Sequence, residues 1–223
     1  MEPEQKIAVI IVAGGTGNRV GGKIPKQWRV ISGKSVIDWT ISKFQNHPRI
    51  NQIILVSDNT DKFKNYLKIA EILQIVPSGE TRTKSVLNGL LAVSEDTSHV
   101  LIHDAVRPCV SEKLISRIIK ELQFFDAVIP VMKITDSLWT INSEKENIEK
   151  SCIRENFVTT QTPQGFNYKK ILDAHRKNET STTDDTALAI KSKLSITTVQ
   201  GDVENIKITF ESDFEIARFF LEN

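Results

Sequence analysis

The sequence is poor in several features that whole classes of protein require. Its 223 residues include two cysteines, Cys109 and Cys152, too few for a disulfide framework. No apolar run approaches the roughly 18 residues of a membrane-spanning helix, and the charged N-terminus lacks the apolar region of a signal peptide. We therefore expect a globular protein of the reducing cytoplasm that has no membrane partner.

The chain also lacks an excess of charge of either sign. It has 29 Lys and Arg against 28 Asp and Glu, for a net charge of +1. Proteins that coat nucleic acid need a strong basic excess, so we expect no nucleic-acid partner. The four histidines show no metal-ligand spacing. A small phosphorylated ligand remains possible, because it needs only a local group of cations.

Short apolar runs that are typical of buried strands alternate with segments of helical pattern. The strand-like runs are 7–13, 52–57, 99–103 and 127–131, and the helical segments are 35–45, 61–70, 83–93 and 111–123. Ser111 is a suitable N-cap for the last helix. Continuous apolar strands indicate a sheet covered on both faces, and the alternation predicts an α/β fold with a doubly wound, mostly parallel sheet.

The pattern changes in the second half of the chain. Two strand-like pieces, 137–142 and 148–154, flank a polar stretch and predict a hairpin that projects as an arm over about 136–156. Further elements are expected after the arm: helices at 168–176, 185–191 and 212–221, and strands at 196–200 and 205–209. With no linker or repeat in the sequence, residues 1–223 are expected to form one domain.

A glycine-rich segment follows the first strand. Four of the ten glycines fall within Gly14–Gly21, with the basic residues Arg19, Lys23 and Lys26 among or just after them. Glycine lets the backbone approach a phosphate closely, although such a segment can also be an ordinary turn. Two known motifs fail here: Ile24 stands where a P-loop needs a hydroxyl, and Val20 stands where the dinucleotide-binding fingerprint needs its third glycine.

Four motifs in order along the chain resemble one enzyme family. They are Ala13-Gly-Gly-Thr-Gly-Asn-Arg19 with Pro25-Lys-Gln27, then His103-Asp-Ala-Val-Arg-Pro108, Thr162-Pro-Gln164 and Asn205-Ile-Lys-Ile-Thr209. Together they resemble the sugar-phosphate nucleotidyltransferases, and more narrowly the 2-C-methyl-D-erythritol 4-phosphate cytidylyltransferase family. The resemblance implies a Rossmann-like fold, Mg²⁺ as cofactor, CTP and a polyol phosphate as substrates, and a homodimer formed through the arm.

The resemblance also implies a set of site residues. Arg19, Lys26 and Lys207 match its catalytic positions, and Asp104 matches its metal ligand. Ala13, Gly14, Gly15, Gly17, Gly79, Glu80, Arg82, Ser85 and Ala105 match its nucleotide-binding positions. Arg107, Ser137, Arg154, Thr162 and Thr183 match the surfaces that hold the sugar phosphate, with Arg154 serving the partner's site.

Read without the resemblance, these residues have simpler explanations. Asp104 ends an apolar strand, where it could bind a metal, cap a helix or pair with Arg107. Lys207 lies between two isoleucines of a predicted strand, where lysines usually reach out to solvent. His103 is expected to pack within its strand, since phosphoryl chemistry has no evident use for it.

Other functions also stay open. A ribitol-5-phosphate cytidylyltransferase would share the nucleotide half, although Thr162-Pro-Gln-Gly-Phe166 favours the methylerythritol enzyme. A non-catalytic nucleotide-binding module is the second alternative, and the presence of Arg19, Lys26, Asp104 and Lys207 counts against it. The natural chain could also continue into a second enzyme domain, as fused relatives do.

Overall fold

A sheet built from the most apolar segments of the chain forms the core. The structure is a computed structural model that describes residues 5–14, 24–58, 73–142, 144, 147–178, 182 and 184–222. Its strands are β1 Ile7–Val12, β2 Val30–Ile31, β3 Lys34–Ser35, β4 Gln52–Val56, β5 Leu73–Val76, β6 His99–Asp104, β7 Ala127–Lys133, β8 Leu138–Asn142, β9 Asn147–Cys152, β10 Val158–Thr160, β11 Gln164–Asn167 and β12 Ile196–Gln200. Its α-helices are α1 Val36–Gln45, α2 Arg82–Leu91, α3 Glu112–Glu121, α4 Tyr168–Arg176, α5 Asp185–Lys191 and α6 Ser212–Glu222. The predicted helix at 61–70 lies outside the described residues.

The main sheet is mostly parallel, which confirms the predicted fold class. Its order is β5-β4-β1-β6-β11-β7, with β12 on the other side of β7. The β5-β4-β1-β6 part is parallel, as is the β7-β12 pair, whereas β11 runs antiparallel to both of its neighbours. Strand β10 continues the line of β11 along β7. The carboxyl ends of β1, β4 and β6 therefore share one edge, where sheets of this kind bind ligands.

Alternate residues of β1 face two different layers of helices. Val9 and Ile11 belong to a buried cluster with side chains of α1 and α3. Ala8 and Ile10 belong to a second cluster with side chains of α2, α4 and α5. This arrangement explains the unbroken apolar pattern of the strand, because both of its faces are covered.

Helix starts follow local capping chemistry. The Ser111 hydroxyl accepts the Leu114 N–H at 3.0 Å, so the predicted cap of α3 is confirmed. At α2 the capping residue is Thr81, whose hydroxyl accepts the Lys84 N–H at 3.1 Å. Helix α2 therefore begins one residue earlier than predicted, at Arg82, and the ligand-binding edge gains a basic side chain on a first helical turn.

The chain after β7 differs most from its predicted course. The arm is a β8–β9 hairpin as predicted, with Arg154 in a short 3-10 helix that follows it. The predicted strand at 205–209 is wrong: these residues are irregular. Their backbone bonds to loops and side chains, as when Ile208 N–H donates to Val106 O and Thr209 N–H to Asp213 Oδ2, and forms no ladder. The sequence pattern does not predict strands β2, β3, β5, β10 and β11.

None of the helices in the described part of the chain is long and apolar enough to cross a membrane.

Candidate active site

The candidate site centres on Asp104, the last residue of β6. The residue is 9% exposed, and its carboxylate lies at the carboxyl edge of the sheet. Lys207 Nζ donates to its Oδ2 at 2.7 Å, and Arg82 Nε lies 3.7 Å from its Oδ1. Arg107 Nε is 4.0 Å from Oδ2. Lys207 and Arg82 thus come from segments distant in sequence, whereas Arg107 lies three residues after Asp104. The pairing with Arg107 predicted as an alternative is therefore only one part of the arrangement.

These cations decide the charge of Asp104. Burial alone would raise the pKa of this carboxyl group, but the charges of Lys207 and Arg82 outweigh burial and hold the pKa well below its usual range. Asp104 is therefore ionised at any physiological pH. A group with more cations than carboxylates suits an anionic ligand such as a nucleotide phosphate.

Lys207 is held by an irregular segment rather than by a strand. The buried amide of Asn205 donates to Thr162 O at 2.9 Å and to Gln161 Oε1 at 3.2 Å. Arg107 Nη1 donates to Asn205 O at 2.8 Å. On the other side of the lysine, the fully buried Ile208 packs in a third apolar cluster under α6. The segment is thus fixed on both sides of Lys207 while its ammonium reaches Asp104.

Lys26 also contacts the irregular segment that carries Lys207. It opens a 3-10 helix, Lys26–Trp28, and its ammonium donates to Ile208 O at 2.9 Å. The next residue, the buried Gln27, donates to Ala13 O at 3.0 Å. The Gln27 bond joins the chain that follows the glycine-rich segment to the residue after β1, and the Lys26 bond places its ammonium beside the backbone that carries Lys207.

The start of α2 forms another wall of the site. Gly79 N–H donates to Ser85 Oγ at 2.9 Å, and the Ser85 hydroxyl donates to Thr81 O at 2.9 Å. A Cβ on Gly79 would lie 2.5 Å from Lys84 Cβ, so the close turn requires glycine. Ser85 therefore shapes this loop. The exposed carboxylate of Glu80 pairs with Lys84.

A second close approach joins this wall to the end of β1. A Cβ on Gly14 would overlap the side chain of Ser78, so glycine suits the close approach of the two loops. Ala13 and Ala105 are buried beside this junction, and Ala105 N–H donates to Val12 O at 3.1 Å. The predicted nucleotide-binding residues that the structure describes thus lie after the ends of β1 and β6 and around the start of α2.

A buried chain of hydrogen bonds supports Asp104 from below. The Asp104 N–H donates to Thr162 Oγ1 at 3.1 Å, which in turn lies 3.1 Å from His103 Nδ1. Because His103 Nε2 faces a carbonyl, Arg107 O at 3.1 Å, the ring proton resides on Nε2 and Nδ1 accepts from the threonine. Burial lowers the pKa of His103 to about 4, so the ring is neutral. His103 packs in its strand as predicted.

Some predicted residues are not brought to Asp104. Ser137 is exposed on the arm, and Arg154 donates to Thr135 O and pairs with Glu155. Within the described residues neither contacts the Asp104 group. Four predicted residues lie outside the described residues: Arg19, Gly15, Gly17 and Thr183.

Sequence reasoning missed two groups behind Arg82, the carboxylate of Asp185 and the imidazole of His175. Arg82 Nη1 donates to Asp185 Oδ2 at 2.8 Å, and Asp185 Oδ1 lies 3.0 Å from His175 Nε2. The sequence signal that could have indicated this link is the pair of acidic residues, Asp184 and Asp185, at the start of α5. Asp184 caps α5 by accepting the Ala187 N–H, so the second acid, Asp185, has no capping role.

Comparison with known proteins identifies relatives along almost the whole chain. Residues 7–223 match the family described as 2-C-methyl-D-erythritol 4-phosphate cytidylyltransferase. The enzyme of that name from Roseobacter denitrificans is 36% identical over 216 residues, covering 97% of both chains. A bifunctional relative from Ruegeria sp. (strain TM1040) is 38% identical over 97% of this chain and 56% of its own, so this chain spans about half the length of such relatives. The crystal structure of 4-diphosphocytidyl-2C-methyl-D-erythritol synthase from Anaerococcus prevotii superposes with a TM-score of 0.85 at 29% identity, covering 99% of this chain and 97% of that one.

We expect Asn205→Ala to destabilise the protein, because the buried Thr162 O loses its side-chain donor. Gln161 Oε1 also loses a donor and keeps only the Asp202 N–H. A buried group left unpaired costs about 1–3 kcal/mol, so the free energy of unfolding should fall by about that amount. Urea unfolding measures this value. Asn88→Ala is the matched control, since its amide bonds one exposed carbonyl, and it should change stability by less than about 0.5 kcal/mol. Equal effects of the two substitutions would contradict the bracing role of Asn205.

Proposed function

Because this chain belongs to the 2-C-methyl-D-erythritol 4-phosphate cytidylyltransferase family, we propose that the group around Asp104 is the site of its reaction. The reaction transfers the cytidylyl group of CTP to 2-C-methyl-D-erythritol 4-phosphate in isoprenoid biosynthesis. It yields 4-diphosphocytidyl-2-C-methyl-D-erythritol and pyrophosphate. The observation that carries the site assignment is the ionised Asp104 among Lys207, Arg82 and Arg107 at the ligand-binding edge.

The chemistry explains the need for cations. A phosphate oxygen of the acceptor bonds to the α-phosphorus of CTP, and the bond from that phosphorus to the β-phosphate oxygen breaks, so pyrophosphate leaves with the electron pair. Two anions must therefore meet. Lys26 and Lys207 are assigned to neutralise the charge that grows on the transferring phosphate, and Arg19 is assigned with them from its motif.

The nucleotide is assigned to the edge formed by the end of β1 and the start of α2. Backbone N–H groups at a helix start attract phosphates, and Arg82 adds a fixed charge on the first turn of α2. The assigned nucleotide-binding residues are Ala13, Gly14, Gly15, Gly17, Gly79, Glu80, Arg82, Ser85 and Ala105. Ser85 would act through the loop that it holds in place.

Asp104 is assigned as the ligand of a magnesium ion. Its Oδ1 lies 3.7 Å from Arg82 Nε, beyond hydrogen-bond distance, which leaves that oxygen suited to a hard cation. The described residues contain no group of three or more His, Cys, Asp or Glu side chains that could hold a metal alone. Nucleotide phosphates would therefore complete the coordination of the ion, as is common for magnesium. When bound, the magnesium ion would offset the negative charge of these phosphates.

The sugar phosphate is assigned to Arg107, Ser137, Arg154, Thr162 and Thr183. Arg107 and Thr162 lie beside Asp104, whereas Ser137 and Arg154 lie on the arm. The arm also exposes more than half of Trp139, Ile141 and Ile148, which a single copy of the chain leaves in water. We therefore assign the arm to a homodimer interface, with Arg154 completing the partner's site. We also assign residues 1–223 to one domain and the protein to the cytoplasm.

We expect pyrophosphate release with CTP and 2-C-methyl-D-erythritol 4-phosphate in the presence of magnesium, and far slower release with ATP, GTP or UTP. Ribitol 5-phosphate serves as the competing acceptor, because it tests the closest alternative substrate. Faster turnover with ribitol 5-phosphate would overturn the acceptor assignment. Binding of CTP without any turnover on either acceptor would favour the non-catalytic module.

The dimer assignment predicts complementation between two inactive variants, Lys26→Ala and Arg154→Ala. If Arg154 acts on the partner's site, random pairing after joint refolding makes half of the dimers mixed, each with one complete site. Activity should then recover to about a quarter of wild type. Mixtures that stay inactive, although subunit exchange is confirmed by mass-tagged chains, would contradict action between subunits.

A further inference from the structure

One guanidinium is shared between two carboxylates at the nucleotide edge. Arg82 Nη1 donates to Asp185 Oδ2 at 2.8 Å, while its Nε lies 3.7 Å from Asp104 Oδ1. The shorter bond is the one to Asp185, so Asp185 decides where the guanidinium sits. Asp104 receives only the weaker, longer approach and keeps its hydrogen bond for Lys207.

Asp185 is itself fixed from behind. It is 1% exposed, and its second oxygen accepts a hydrogen bond from Nε2 of the buried His175 at 3.0 Å. Burial would raise the pKa of Asp185, but the His175 hydrogen bond and the Arg82 charge outweigh it, so the pKa lies below its ordinary value. The carboxylate is ionised, and each of its oxygens has one partner of fixed position.

Such a buried pair has little value as a source of stability alone. Removing two charges from water is costly, and packed apolar residues of similar volume are often as stabilising. A buried carboxylate can instead fix an arginine in place at the ligand-binding edge. An arginine that is already fixed loses less conformational entropy when it binds an anion than one that is free to change rotamer. Arginine suits the task since its fork reaches two carboxylates at once, which a lysine ammonium cannot do in the same geometry.

We propose that Asp185, held by His175, is a positioning residue that fixes Arg82 for binding of the CTP phosphates. The proposal rests on the proposed function, because it takes the nucleotide to bind at this edge. Asp185 does not touch the substrate and acts only through Arg82. It also limits the approach of Arg82 to Asp104, so the two charges stay close without fully pairing.

The test compares CTP binding by wild type and Asp185→Asn using isothermal titration calorimetry. The asparagine keeps the shape but loses the charge, and a charge-assisted hydrogen bond of this kind corresponds to about a tenfold change in affinity. We expect the dissociation constant and the KM for CTP each to rise about tenfold. The KM for the acceptor should stay within about twofold. Asp173→Asn, an exposed acid on the helix that carries His175, is the matched control and should bind CTP like wild type.

Two further sets of variants keep the test decisive if Asp185→Asn does not fold. His175→Ala removes the donor and should weaken CTP binding, whereas His175→Gln retains an N–H and should recover most of the affinity. In an Arg82→Lys background, Asp185→Asn should add little further loss, since the residue through which it acts is already changed.

The possible outcomes separate the proposals. Unchanged CTP affinity in folded Asp185→Asn, or in both His175 variants, would overturn the positioning role. A loss of kcat and of melting temperature with unchanged CTP affinity would overturn it as well, because that is the signature of a purely structural ion pair. Failure of the wild-type protein to bind or use CTP would instead reject the proposed function.

Discussion

The structure depends on keeping one nearly buried carboxylate ionised at the edge of the sheet. Asp104 can hold its charge there only because Lys207, Arg82 and Arg107 surround it. Lys207 and Arg82 belong to segments distant from Asp104 in sequence, so the site forms only when these parts of the α/β domain fold together. This links the chemistry to the fold more firmly than a site built on a single loop.

The irregular segment around Lys207 shows how the protein meets that requirement. A regular strand would commit its backbone to a ladder and alternate its side chains between two faces. Here Asn205 and Ile208 anchor the chain on either side of the lysine, one by hydrogen bonds and the other by apolar packing. Lys26 then bonds the Ile208 carbonyl, which couples the two lysines assigned to the transferring phosphate.

The sequence predicts the layered sheet well because continuous apolar runs rich in β-branched residues are typical of strands that are buried on both faces. It places Asp104 correctly because parallel strands end at a common edge. It fails for β11 and for residues 205–209, where apolar and polar residues mix and tertiary hydrogen bonds decide the backbone. It also fails for the link from His175 to Asp185, because no local pattern shows that a second acid beside a helix cap turns inward toward Arg82.

The most direct test of the account is the single-turnover rate of cytidylyl transfer by Lys207→Ala, measured by rapid quench with labelled CTP. A preplaced charge that stabilises the transition state is worth about 3–4 kcal/mol, so the rate should fall at least about a hundredfold. Lys120→Ala, an exposed lysine at the end of α3, should react at the wild-type rate. A Lys207→Ala rate within threefold of wild type at saturating CTP would contradict the assignment of the Asp104 group as the reaction site.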